Sequence, residues 1–176
     1  MVIARKHLIA SDEAGCYHLV SRCVRRGFLC GEDRGVDYRH RRDWVEALVR
    51  QAAASYAVEV FTYAVMDNHF HLVVRSDPTA ADGWSDREVV ERWCAAHPKR
   101  PFSDGCTAWS EEEITVFLAE SAWVALRRRR LASLSWFMKA IKEPIAKRAN
   151  REDGCRGHFW EARFRSTRLL DQAAVI

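Results

Sequence analysis

The stretch from Phe61 to Arg75, Phe-Thr-Tyr-Ala-Val-Met-Asp-Asn-His-Phe-His-Leu-Val-Val-Arg, decides how the rest of the chain is read. Two apolar runs flank Met66-Asp67-Asn68, a short polar break of the kind that joins antiparallel strands. Side chains alternate faces along a strand. Phe70, Leu72 and Val74 therefore point into a core, while His69, His71 and Val73 point the other way. Two imidazoles stand side by side on the face that does not carry the packing, a geometry that suits two ligands of one divalent metal. The same pattern also fits a polar pair on an exposed sheet face, and Asp67 and Asn68 are equally at home as turn residues.

Working outward, residues 17–24 alternate in the same way. His18, Val20 and Arg22 fall on one face, and Leu19, Ser21 and Cys23 on the other. The apolar spacing of Trp44, Ala47, Leu48, Gln51 and Ala52 predicts a helix over about 37–56. Strands follow at 58–65 and 69–75. Strand, helix, strand, strand is the first half of an α+β, ferredoxin-like domain, an antiparallel sheet with helices packed mainly on one face.

The next segment, about 77–130, reads as a helical insertion in a single domain. Its first part holds three of the four prolines and several turn pieces. Ser85 with Glu88 and Ser110 with Glu113 fit capping boxes. The second opens a helix expected to run to about Arg130, with Ile114, Phe117, Leu118, Ser121, Ala122 and Ala125 as its stripe. A further helix is expected over about 133–150, buried along Leu134, Phe137, Met138, Ile141 and Ile145. Pro144 lies inside it and predicts a bend or restart near Glu143. A last helix is expected to begin near Leu170.

Composition narrows the class. The apolar fraction of 48% and seven Trp are ample for one core. No apolar run approaches the roughly 20 residues of a membrane span, and no secretory h-region follows the N-terminus, so a cytoplasmic protein is expected. The six cysteines form no Cys-x-x-Cys pair and read as free thiols. The net charge of +4 hides an asymmetry: from Arg127 onward there are 13 Lys or Arg against 5 Asp or Glu. A basic last third points to a polyanionic partner.

With the Asp67-Asn68-His69-Phe70-His71 strand in place, the chain resembles the single-strand transposases of the histidine–hydrophobe–histidine (HUH) class, in particular the REP-associated tyrosine transposases. Tyr17-His18 with Arg22, Asn150 with Gly154 and Gly157, and Phe159-Trp160-Glu161 with Arg163, Phe164 and Ser166 carry the same resemblance, in the same order. It covers about residues 15–75 and 130–172. The resemblance implies binding of single-stranded, hairpin-forming DNA, and cleavage of it by a tyrosine nucleophile beside a divalent ion, Mg or Mn. Carried over, His69 and His71 are metal ligands, with Asn150 the candidate third ligand and Asp67 its alternative. The expected DNA contacts are Arg22, Arg25, Arg26, Lys139, Lys142, Arg148, Arg156, Trp160, Arg163, Arg165 and Arg168. A homodimer is a further possibility within the class.

The chain departs from that pattern where the nucleophile is expected. The positions four to six residues before Asn150 read Pro144, Ile145 and Ala146, and no tyrosine follows Tyr63. Tyr63 itself is a weak candidate, since it shares the hairpin with the histidines. Three readings remain: a strand-transfer enzyme with another nucleophile or an activated water, a DNA-binding descendant without the chemistry, and a small metal hydrolase unrelated to DNA.

Overall fold

The computed structural model describes residues 13–24, 28–33, 35–99, 102 and 108–170. The frame is built from strands β1 (Gly15–Arg22), β4 (Val58–Val65), β5 (His69–Ser76) and β6 (Arg165–Leu169), with helices α1 (Arg41–Ser55) and α5 (Leu134–Glu152). The sheet order is β4-β5-β1-β6 and every pairing is antiparallel. This is the ferredoxin-like βαββαβ arrangement: β1 and β4 flank β5, which returns between them. Two two-residue strands, β2 (Glu32–Asp33) and β3 (Val36–Asp37), form a small hairpin ahead of α1. The expected start of the helix near Asp37 thus moves to Arg41, because the residues around Gly35, at φ +81°, turn this hairpin first.

Alternation along β1 and β5 gives the sheet two unlike faces. Tyr17, Leu19, Phe70, Leu72 and Val74 are fully buried against α1 and α5, whereas His18, Val20, His69, His71 and Val73 remain partly exposed. In α1 the buried stripe includes Trp44, Val45, Leu48, Val49 and Ala52. Ala47 is exposed, so the stripe lies one position off the expected one, toward the β-branched residues. In α5 all five expected stripe residues are buried.

Between β5 and α5 the chain forms a 3-10 turn (Pro78–Gly83) and helices α2 (Asp86–Ala96), α3 (Glu111–Ala119) and α4 (Ser121–Leu131). The helix expected to run unbroken from Ser110 to about Arg130 is therefore two. Glu120 leaves helical geometry at φ −101°, ψ 81°, and the break brings Phe117 flat against Trp123, with ring centroids 4.6 Å apart at 2°. Beyond it the helical phase resets: Val124 and Leu131 are buried, and Ser121, Ala122 and Ala125 are exposed. Pro144 does not interrupt α5, which runs continuously to Glu152. Side-chain bonds brace its turn from outside: the Trp160 indole donates to the Lys142 carbonyl at 2.9 Å, and the Lys142 ammonium donates to the Ala162 carbonyl at 3.0 Å.

All five described cysteines are free thiols. Among the described residues no helix is long and apolar enough to cross a membrane. The last helix expected from Leu170 falls outside the described residues, as do Arg25 and Arg26.

Candidate functional site on the open sheet face

The register decides what shares the open face. Arg22 stands opposite His69, Val20 opposite His71, and His18 opposite Val73. On the far side of β1, Val20 faces Arg165 and His18 faces Thr167. Residues directly opposite each other in an antiparallel pair lie on the same face. The imidazoles of His18, His69 and His71 and the exposed guanidiniums of Arg22 and Arg165 therefore belong to one surface. Neither guanidinium is engaged in an ion pair among the described residues.

The imidazoles are held by specific contacts. His69 Nδ1 lies 2.7 Å from the Asn68 side-chain oxygen, an acceptor, so Nδ1 carries the proton and donates. His71 Nδ1 lies 2.8 Å from His18 Nε2. The rings of His69 and His71 meet edge to face with centroids 4.8 Å apart. Partial burial and then the neighbouring His69 and His18 hold the pKa of His71 below the usual histidine value, which favours the neutral ring that a metal requires. The donor set fits a divalent ion in part. Two imidazoles two residues apart on one strand offer adjacent ligands, but among the described residues no three His, Cys, Asp or Glu side chains converge on one point.

The oxygen ligands expected to complete the set have other contacts. The Asn150 amide nitrogen donates to the Gly157 carbonyl at 2.9 Å, which leaves its oxygen unassigned. The Asp67 carboxylate lies against the Gly31 turn, where a Cβ added at Gly31 would come within 2.8 Å of Asp67 Oδ1. Gly31 has φ +97° and also needs glycine for its backbone. Tyr63 pairs with Leu72, so alternation sets its side chain on the helix-side face, opposite the imidazoles. Sharing a hairpin with the histidines does not bring it to them. At the positions expected for the nucleophile, Ile145 is fully buried and neither Pro144 nor Ala146 carries a reactive group.

The expected DNA contacts separate into two kinds. Several are committed internally. Lys142 is buried and bonded to Ala162, Arg148 stacks on Trp44 at 4.0 Å and Phe102 at 4.6 Å, and Arg168 pairs with Glu13 at 3.4 Å. Trp160 packs edge-on to Phe70 and Phe159 while its indole nitrogen serves α5. Others are exposed: Arg22, Arg156, Arg163 and Arg165, along with Arg168 and with Lys139, which pairs with Glu143 at 3.8 Å and lies over Trp136. A cavity of about 700 Å³ opens between α5 and residues 157–164. Trp136, Lys139, Phe159, Trp160 and Arg163 are among its walls. Sequence reasoning missed the part of His18: its place in the first strand was legible, but its partner lies 53 residues away across the register.

No family model matches the chain, and no curated protein matches it. Among solved structures, it is similar to that of the REP-associated tyrosine transposase bound to a REP hairpin, with a TM-score of 0.50 and 11% sequence identity. The likeness covers 99% of this chain and 66% of that one, so the chain spans a little under two thirds of that protein's length. At this identity the likeness is one of fold: the four-stranded sheet with two crossover helices is the fold of that transposase.

Proposed function

We propose that the chain is a transposase-like DNA-binding protein that takes single-stranded, hairpin-forming DNA on its open sheet face. The observation that carries this reading is the placement of Arg22 and Arg165, both exposed and, among the described residues, without ion pairs, on the same sheet face as the paired imidazoles, the face away from α1 and α5. Guanidinium groups supply charge and bidentate hydrogen bonds to phosphate. The hairpin DNA held by a protein of the same fold supports the partner class. The aromatic-walled cavity beside α5, rimmed by Lys139 and Arg163, is suited to an unpaired base, since every base has a face that stacks.

A second reading adds strand cleavage, and the side-by-side His69 and His71 favour it, because DNA binding alone has no evident need of both. A divalent ion held there, Mg or Mn, would supply positive charge against a phosphodiester. The chain's own part is to present two adjacent imidazoles, with Arg22 next to His69 to hold the phosphate in register. Against cleavage by a tyrosine stands the absence of any tyrosine on α5.

The test uses an end-labelled hairpin oligonucleotide with Mn2+, run on native and on denaturing protein gels. A shifted native complex is expected. A labelled band at protein mass would establish cleavage through a covalent intermediate, and peptide mapping would identify the nucleophile. No native complex with any hairpin or unpaired oligonucleotide would refute the proposal.

A further inference from the structure

We infer that His18 is a positioning residue for the metal site: it fixes the tautomer of His71 so that Nε2 of that ring presents a lone pair outward. The inference rests on the metal reading of His69 and His71. His18 Nε2 and His71 Nδ1 are 2.8 Å apart, with ring centroids at 5.0 Å and ring planes within 11°. With the nitrogens that close and the centroids that far apart, the rings lie edge to edge in nearly one plane. Each nitrogen then points along the other's in-plane hydrogen-bond direction. A neutral imidazole has one N–H and one lone pair, so one proton lies between the two nitrogens and the pair has two arrangements.

If His18 donates, the proton of His71 must sit on its Nε2, and that nitrogen is lost as a ligand. If His71 donates from Nδ1, its Nε2 is free and His18 carries its own proton on Nδ1. His69 supplies the comparison within the same site. Its Nδ1–H is already fixed by the Asn68 oxygen, which commits its Nε2 to the lone-pair form. The two histidines of the strand are thus each held at Nδ1 by an acceptor, Asn68 for one and His18 for the other. Metal-ligating histidines are commonly oriented this way, through a hydrogen bond from the nitrogen that does not ligate. The same contact explains why His18 is not counted as a third ligand: its Nε2 is already committed, in keeping with the lack of a three-residue cluster among the described residues.

The test reads the tautomer and the metal separately, with full-length protein. Long-range 1H–15N correlation spectra of the metal-free protein, at a pH where the rings are neutral, should show His71 protonated at Nδ1. His18→Ala should move that proton to Nε2, and His18→Gln, whose side-chain oxygen stands where Nε2 stood, should restore it. Mn2+ binding followed by paramagnetic broadening of the ring nitrogens should weaken on the order of 10- to 100-fold in His18→Ala and recover in His18→Gln. An Nε2-protonated His71 in the unaltered protein, or wild-type Mn2+ affinity in His18→Ala, would overturn the role of His18. The His69→Ala variant separates that failure from failure of the underlying reading. If it binds Mn2+ as the unaltered protein does, the metal site itself is not there.

Discussion

Two single residues show how closely the fold balances buried charge. Arg41 is fully buried at the start of α1, where its Nε donates to Glu152 at 2.7 Å and one terminal nitrogen to the Phe28 carbonyl at 2.9 Å. The other terminal nitrogen pairs with Asp153, and Tyr38 lies 4.1 Å from the guanidinium carbon. Glu152 and Asp153 sit at the C-terminal end of α5, where the helix dipole disfavours acids, so the guanidinium stabilises an otherwise unfavourable terminus. Removing one partner of a buried pair leaves the others uncompensated, and Arg41→Ala is expected to cost about 3–5 kcal/mol. Arg41→Lys should recover only part of this, because a lysine cannot reproduce the planar fork. Urea midpoints of the two variants measure it; a loss under about 1 kcal/mol in Arg41→Ala would mean the network carries little net energy. His97 carries the pH dependence. Burial, followed by the nearby Lys139, lowers its pKa from 6.5 to about 4, and its Nε2 shares a hydrogen bond with the Tyr56 hydroxyl at 3.0 Å. The unfolded chain therefore takes up this proton first as pH falls. The contribution of His97 is intact above about 6.5 and is lost progressively down to about 4, on the order of 2 kcal/mol once its partial exposure is discounted. His97→Gln keeps an acceptor but does not titrate, so its stability should fall less than that of the unaltered protein across that window. Parallel slopes would remove His97 from the account.

At the scale of elements, what was legible in the sequence depended on whether the deciding contact was local. Strict alternation in β1 and β5 and the stripe of α5 are set by burial within each segment, and both faces were assignable from the residues alone. The break at Glu120 was not, because the apolar spacing runs on through it and only the Phe117–Trp123 stack decides against one long helix. The paired imidazoles could be read from a two-residue spacing on one strand, whereas the His18–His71 bond needs the register between strands far apart in sequence. The restart expected at Pro144 does not occur, for a similar reason. The proline's penalty is local, but Trp160 and Ala162, about 20 residues further on, bond Lys142 and brace the turn. A proline inside a helix removes one backbone bond, so Pro144→Ala should restore a donor toward the Ala140 carbonyl. It is expected to stabilise by about 2 kcal/mol net, after the lost restriction of the unfolded chain is subtracted. A urea midpoint that stays the same or falls would show that α5 has already relaxed around the ring.

For the molecule as a whole, the basic last third is not one DNA-binding face. Arg127 stacks on Trp123 at 4.1 Å, Arg130 on Trp136 at 4.0 Å, and Arg128 bonds the Ala81 and Trp84 carbonyls and Asp86. Lys147 pairs with Glu143, and Lys142 and Arg148 are committed as described. Charge density along the sequence therefore overstates the charge offered to a polyanion, because much of it is held against the protein's own tryptophans, backbone carbonyls and acids. Cations without an ion pair among the described residues include Arg22 and Arg165, on two neighbouring strands and on the face of the imidazoles. Each phosphate contact releases about one counterion, so binding strength falls with salt at a slope set by the number of contacts. Arg22→Ala and Arg165→Ala should each weaken binding of a hairpin oligonucleotide and flatten the logarithmic salt slope by about 1. Arg129→Ala, an exposed arginine on α4 away from that face, should change neither. Fluorescence anisotropy titrations between about 50 and 200 mM salt give both quantities. If the Arg129 variant flattens the slope as much as the other two, the DNA lies over helices α2 to α4 and the open sheet face is not its site.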